Sequence, residues 1–158
     1  MSLSVQDRQL RELARHLKTF EDGKVLRRNL AKKLRTAVKP VVVQVKAAIR
    51  SMPSKGRGSG PSMRAAIAKR VAAQARPTTG RTAGVKIVAR KPKLRGFANA
   101  PQRFNRRSFR HPTFGDTDVW VTQAGRLGWF DDVIARNRPR FRREVKGVLD
   151  EFKRELDR

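Results

Sequence analysis

Few side chains in this sequence have the type and spacing that catalysis or metal binding requires. The two histidines, His16 and His111, lie far apart along the chain, and there is no cysteine. Neighbouring carboxylates such as Asp131 and Asp132 point in different directions on a helix, so they do not form an acid–base pair. No spacing typical of metal ligands is present. The residues therefore predict no enzyme, no metal site and no cofactor.

The strongest chemical signal is positive charge. Residues 23–115 contain 25 lysines and arginines and not one aspartate or glutamate, and the whole chain carries a net charge of +26. Crowding so many cations costs self-repulsion, which a polyanion or an acidic protein surface would relieve. The composition therefore favours a protein that binds a partner. Charge alone does not distinguish nucleic acid, an acidic protein and an anionic membrane as that partner.

A basic segment over residues 91–110 interleaves cations with Phe97, Phe104 and Phe109. It has no clear period, so we expect an extended basic loop or arm. Basic residues interleaved with aromatic ones are typical of single-stranded nucleic-acid binding, and docking on an acidic protein is the other interpretation. Any DNA contact should be sequence-independent, through phosphates. The cations predicted to contact a polyanion or an acidic partner are Lys91, Lys93, Arg95, Arg103, Arg106, Arg107 and Arg110.

Two amphipathic helices are predicted near the N-terminus. The first begins after Ser4, ends at Gly23, and has an apolar face formed by Leu10, Leu13, Ala14 and Leu17. The second covers about residues 24–50. Its apolar stripe keeps its phase across Pro40, so we expect one kinked helix rather than two.

The middle of the chain is predicted to combine a loop, a short helix and two strands. Residues 53–61 (PSKGRGSGP) indicate a flexible loop, which lacks the ending and the preceding strand of a phosphate-binding loop. A short helix should run from Ser62 to about residue 75. Strands are expected over residues 85–89 and 118–122, with a turn at residues 111–116 leading into the second.

A helical region is predicted to close the chain, over residues 129–137 and 139–156. Pro139 can start a helix or mark a kink. The fold class is therefore α+β, with long N-terminal helices, a small antiparallel sheet, a long C-terminal helix and the basic arm. As domains we predict an N-terminal helix at residues 1–22 and one α+β domain at residues 23–158. The longest apolar run, residues 41–45, is far too short to span a bilayer, and no signal-peptide core is seen, so we expect a soluble intracellular product without a membrane partner.

Three short motifs resemble the tail-component proteins of long-tailed phages of actinobacteria, which belong with the tail-completion, or neck, proteins that join head to tail. The motifs are RHPTFG at residues 110–115, VWVTQ at residues 119–123 and GWF at residues 128–130. Upstream, SMRAAIA at residues 62–68 followed by AGVKI at residues 83–87 is similar to the helix-then-strand unit of that family. The resemblance covers roughly residues 24–155.

The resemblance implies a structural virion protein of the tail or neck, assembled in the host cytoplasm. It implies a homo-oligomeric ring, expected to have six copies, that bridges the phage connector or head-closure protein and the tail tube or tail terminator. It also implies that one loop and strand lie near a subunit interface. The interface residues predicted in this way are His111, Pro112, Phe114, Gly115 and Trp120, to which we add the large aromatic Trp129.

Alternatives stay open on two points. For both tryptophans, core packing is the competing interpretation. For the function, the alternatives are a sequence-independent nucleic-acid-binding basic protein and, more weakly, a membrane-active basic protein. Non-specific DNA contact is compatible with a neck protein as well.

Overall fold

The computed structural model describes residues 2–5, 8–54, 62–80, 83–94, 97–113 and 116–157. Within these ranges the chain forms six helices and five strands. In chain order they are β1 (Ser2–Val5), α1 (Arg8–His16), α2 (Gly23–Ala37), α3 (Lys39–Arg50), α4 (Met63–Lys69), β2 (Val71–Arg76), β3 (Gly84–Ala89), α5 (Ala100–Phe104), β4 (Ser108–Thr113), β5 (Asp116–Ala124) and α6 (Asp131–Leu156). The α+β class and the long C-terminal helix are confirmed.

The strands form two small antiparallel sheets, one with the order β1-β3-β2 and one that pairs β4 with β5. The chain also separates into two compact units, each built from several segments. The hairpin unit contains Val43–Ala72 and Val88–Arg136. The helical unit contains Ser2–Val42, Ala73–Ile87 and Asn137–Arg158. The predicted division at residues 1–22 and 23–158 stays a prediction.

The helical unit is organised by apolar stripes that recur with the period of a helix. These side chains are fully or almost fully buried: Leu10, Leu13, Leu17, Leu30, Leu34, Phe141, Val145, Leu149 and Phe152. Lys33 of α2 reaches two carboxylates of α6, with its Nζ 2.5 Å from Glu155 Oε1 and 3.1 Å from Glu151 Oε1. The stripes that the sequence predicted therefore do form a core.

The boundaries of the first helix differ from the prediction. Ser4 lies in β1, and α1 begins only at Arg8 and ends at His16. Gly23 is the first residue of α2 rather than the end of α1. A Cβ atom at Gly23 would overlap the carbonyl oxygen of Leu17, so the close backbone approach explains the glycine.

The single kinked helix predicted for residues 24–50 is wrong, because α2 ends at Ala37 and α3 begins at Lys39. Pro40 causes the break, since it has no N–H to donate and its ring clashes with the carbonyl group four residues earlier. Val38, between the two helices, is fully buried, as are Leu34 and Val45 on either side. The apolar stripe thus continues through the break, which is why the sequence suggested one helix.

Two further boundaries in the middle of the chain were predicted wrongly. The short helix α4 stops at Lys69, and residues 71–76 form strand β2 instead of continuing the helix. Sheet pairing there overrides the helix propensity of an alanine-rich segment. The turn predicted at residues 111–116 was drawn too wide, since β4 extends to Thr113 and β5 begins at Asp116.

The extended basic arm over residues 91–110 is not confirmed. Part of it forms α5 and the start of β4, and Phe97, Phe104 and Phe109 are all buried. Burying three aromatic rings stabilises the folded chain far more than leaving them in solvent would, so the segment packs around them. Most of the flexible loop predicted at residues 53–61 lies outside the described residues.

Candidate interaction surface on the β4–β5 hairpin

The β4–β5 hairpin carries most of the residues that the sequence nominated for an interface. Its register pairs Phe109 with Gln123, Arg110 with Thr122, His111 with Val121 and Pro112 with Trp120. Because directly opposite residues share a face, each face of the hairpin can be read from this register. Phe109 and His111 lie on the inner face, and Arg110 and Trp120 lie on the outer face.

The inner face is anchored by an aromatic cluster. The ring centroid of Phe104 is 4.3 Å from that of Phe109, and the Phe97 ring lies 5.7 Å from Phe109. The His111 ring is 6.0 Å from Phe97 and 6.1 Å from Phe109. These separations are typical of favourable aromatic pairs. The three phenylalanines therefore hold the hairpin in place, and they are not available to stack on nucleic-acid bases.

The outer face carries a cation over an exposed aromatic ring. The guanidinium carbon of Arg110 lies 6.0 Å from the ring centroid of Trp120. The Trp120 indole donates a hydrogen bond from Nε1 to the Thr117 carbonyl oxygen at 2.6 Å, which fixes the ring on its own strand. Trp120 is still 37% exposed. An oriented and partly exposed indole is a typical anchor of a protein interface.

The first five residues of β5 are exposed on both faces of the strand. All of residues 116–120 are exposed, including the large apolar side chain of Val119, which is 51% exposed. A two-stranded hairpin is marginally stable by itself in water, and a strand uncovered on both faces offers its side chains to another molecule. This segment is therefore an exposed apolar and acidic surface of the hairpin unit.

Most of the predicted contact cations on the hairpin unit are exposed. Among the predicted contact cations, Lys91, Lys93, Arg106, Arg107 and Arg110 are exposed, Arg103 is half-buried, and Arg95 lies outside the described residues. Arg103 packs its guanidinium over Phe97 at 5.2 Å and donates to the Arg110 carbonyl oxygen at 3.4 Å. Within the part of the chain that the structure describes, none of these six cations lies within ion-pair distance of a carboxylate.

Arg64 was not singled out from the sequence, and the structure places it almost fully inside the hairpin unit, with 4% of its surface exposed. Its guanidinium donates to the Pro53 carbonyl oxygen and lies 5.3 Å from the Phe104 ring centroid. Its Nε has no hydrogen-bond partner among the described residues. Burial lowers the pKa of the Arg64 guanidinium from its ordinary value, because desolvation disfavours the charged form. Only its position on the inner side of α4, next to Ile67 and Ala68, could have indicated this burial.

The two tryptophans have different environments. Trp129 is fully buried, donates from Nε1 to the Pro101 carbonyl oxygen at 3.2 Å, and packs edge-on against Phe130 at 5.7 Å. Its burial argues against the predicted interface role and favours core packing. Trp120 keeps the exposure that an interface residue needs.

The remaining predicted interface residues lie on or beside β4. Pro112 is buried opposite Trp120, and His111 is half-buried, with its Nδ1 2.9 Å from the Pro112 carbonyl oxygen. Nε2 of His111 is buried and has no hydrogen-bond partner among the described residues. Phe114 and Gly115 lie outside the described residues. The structure thus brings His111, Pro112 and Trp120 together on one hairpin.

The helical unit also has a groove between α2 and the end of α6. This groove has a volume of about 640 Å³, and its floor includes Leu26, Val148 and Phe152. Lys33 lies over the Phe152 ring at 5.7 Å while it bridges Glu151 and Glu155. The groove is therefore lined in part by an ion-pair network of this chain.

Comparisons with known proteins identify no relative. No protein-family model matches the chain, and no match was found among curated proteins or among solved structures. Over the described ranges, no helix has the length and hydropathy that crossing a membrane requires. In those same ranges, no group of three or more metal-ligating side chains comes together.

Proposed function

We propose that this protein is a structural subunit of a phage head–tail junction, which forms a ring and bridges the connector to the tail. The proposal combines the motif resemblance at residues 110–130 with the exposed start of β5, where the VWVTQ motif begins. It assigns no catalytic role to any residue. Its cellular setting would be the tail or neck of the virion.

The observation that carries the proposal is the uncovered start of β5. Trp120 and Val119 expose apolar surface at neighbouring positions of β5, whereas most of the other described aromatic rings are buried. Exposed apolar surface rimmed by polar residues is typical of protein–protein contact. A ring subunit needs two different contact surfaces, since each copy touches a neighbour on either side. An exposed hairpin supplies at least one of them.

The burial of the aromatic residues weakens the nucleic-acid alternative. Single-stranded binding needs aromatic rings on the surface, and the rings interleaved with arginines at residues 97–109 lie in the core. The six predicted contact cations that the structure describes have no described carboxylate within ion-pair distance. This still favours non-specific contact with phosphates. Such contact would add to the structural role at a neck that holds DNA.

Removing this chain from the parent phage tests the proposal directly. We expect DNA-filled heads and separate, complete tails, because the step that joins them would be lost. Electron microscopy of the lysate distinguishes the outcomes. Particles with normally attached tails would show that the protein has no role in the junction.

A titration with DNA tests the alternative. If six to ten phosphates are engaged, the affinity for duplex DNA should fall by about 10³–10⁵ between 50 and 200 mM salt. A neck subunit should assemble with itself in the absence of nucleic acid. A protein that assembles only on DNA or RNA, and stays monomeric after nuclease treatment, would support the nucleic-acid binder instead.

A further inference from the structure

The hairpin has an acidic end and a cationic end. The acidic end comprises Asp116 and Asp118 with the apolar Val119 and Trp120. The cationic end comprises Arg106, Arg107 and Arg110. All seven side chains are exposed.

The two aspartates are unpaired within the part of the chain that the structure describes. Asp116 Oδ1 accepts a hydrogen bond from the Asp118 backbone N–H at 2.9 Å, and neither carboxylate lies within ion-pair distance of a lysine or arginine there. Asp116, Asp118 and Trp120 lie together in the exposed first five residues of β5, where the register with β4 shifts between Pro112 and Thr113. This end of the hairpin therefore combines two exposed carboxylates with an exposed aromatic ring.

Arg106 and Arg107 lie far along the hairpin from its acidic end. Ser108, next to Arg107, is paired with Ala124, which lies four residues beyond Trp120 on β5. At about 3.3 Å per residue this stretch of strand spans roughly 13 Å, which exceeds the Debye length of about 8 Å at physiological ionic strength. Arg106 and Arg107 are therefore largely screened from Asp116 and Asp118 of the same copy.

We infer that the acidic end of one hairpin docks on the cationic end of the hairpin of a second copy of this chain. The inference rests on the proposed function, since it names the contact by which ring subunits join. A second copy is the occupant that the charges favour, because every copy brings one acidic end and one cationic end in equal number. Nucleic acid would satisfy the arginines but would be repelled by Asp116 and Asp118.

This contact is heterologous, because two different surfaces meet. Such contacts close into a ring when the rotation between neighbours allows it. Trp120 and Val119 would supply the buried apolar area, while the charges would set the orientation of the neighbouring copies.

Two charge-reversal variants test the contact. The first carries Asp116→Arg and Asp118→Arg, and the second carries Arg106→Asp and Arg107→Asp. Each places like charges at the contact, so self-association measured by light scattering after size exclusion should weaken by more than about tenfold. Arg110 is left unchanged, because it packs on Trp120.

Mixing the two variants is the decisive step. The first variant has two positive ends and the second has two negative ends, so each contact in the mixture can join opposite charges. Oligomers of wild-type mass should therefore return at a 1:1 ratio. A control with Glu21→Arg and Asp157→Arg raises the net charge by the same amount as the first variant, at exposed positions of the helical unit, and it should assemble like wild type. Circular dichroism checks that each variant is folded, and the milder pairs Asp116→Asn with Asp118→Asn and Arg106→Gln with Arg107→Gln replace any that is not.

The outcomes separate this inference from the proposed function. If wild type forms rings but the reversed variants do so equally well, or if mixing restores nothing, the hairpin contact is wrong and the ring stands. If wild type is monomeric, both are wrong. If the Asp-to-Arg variant keeps its oligomeric mass and binds a DNA duplex more tightly, the hairpin is a nucleic-acid surface and the contact is again refuted.

Discussion

Arg110 and Trp120 lie on the same outer face of the β4–β5 hairpin, with the guanidinium carbon 6.0 Å from the indole ring centroid. The pair joins the cationic end of the hairpin to its apolar and acidic end. A cation over an aromatic ring contributes about 0.5–1 kcal/mol at an exposed site, which orders both side chains without burying either. The hairpin thus presents a partly ordered surface to a partner.

The two tryptophans should respond differently to removal. Trp129→Ala should lower the free energy of unfolding by about 3–5 kcal/mol, because it empties a fully buried site. Trp120→Ala should change it by no more than about 1 kcal/mol and should instead weaken self-association. Urea unfolding at low protein concentration measures the first effect, and light scattering measures the second. Equal losses of stability would contradict the assignment of Trp120 to a contact surface.

Two glycines offer a matched pair. A Cβ at Gly125 would overlap the carbonyl oxygens of Arg106 and Phe104, so Gly125→Ala should destabilise the hairpin unit by about 1–3 kcal/mol. Gly147 lies in α6 with open space around it, and Gly147→Ala should stabilise the protein by about 0.5–1 kcal/mol. Thermal unfolding followed by circular dichroism compares them. A harmless alanine at Gly125 would show that the turn next to the cationic end is wrongly placed.

The buried Arg64 should contribute little to stability through its charge. Arg64→Met keeps the packing against Phe104 and removes the cost of burying a cation, so the unfolding free energy should equal or exceed that of wild type. Arg64→Ala should be less stable than Arg64→Met, because it leaves space beside the ring. Chemical unfolding of both variants provides the comparison. A loss above about 2 kcal/mol in the methionine variant would mean that the hydrogen bond to Pro53 outweighs the desolvation.

The ion-pair network of the helical unit should be visible in a titration. The hydrogen bond to Glu155, followed by that to Glu151, raises the pKa of Lys33 above the usual lysine value of about 10.4. Its stabilising contribution should be fully present below pH 10.4 and be lost as the pH rises through the folded-state pKa. NMR titration of the Lys33 ammonium group measures this. Glu155→Gln should lower that pKa towards its usual value, whereas Glu144→Gln, which removes a carboxylate that faces Arg140, should leave it unchanged.

Hydrophobic periodicity predicted much of the fold. The stripes at Leu10 to Leu17 and at Phe141 to Phe152 are buried as expected, because a 3.6-residue period follows from helix geometry alone. The strands over residues 85–89 and 118–122 lie within β3 and β5 for a similar reason, since β-branched and aromatic residues fit a pleated surface.

Other features of the fold leave no pattern in the local sequence. Phe97, Phe104 and Phe109 come from three different pieces of backbone, so their spacing shows no period although the rings pack together. Strand β4 contains Pro112, which argues against a strand because proline cannot donate to the ladder. The exposure of Trp120 and the burial of Trp129 also depend on tertiary packing, which the identity of an aromatic residue does not reveal.

Copies of this chain should assemble with one another into a ring. Negative-stain electron microscopy of the purified, nuclease-treated protein at about 0.15 M salt, combined with light scattering of the same sample, is the sharpest test. Closed rings of one stoichiometry are expected, with six copies inferred from the resemblance. A monodisperse monomer at micromolar concentration would refute ring assembly.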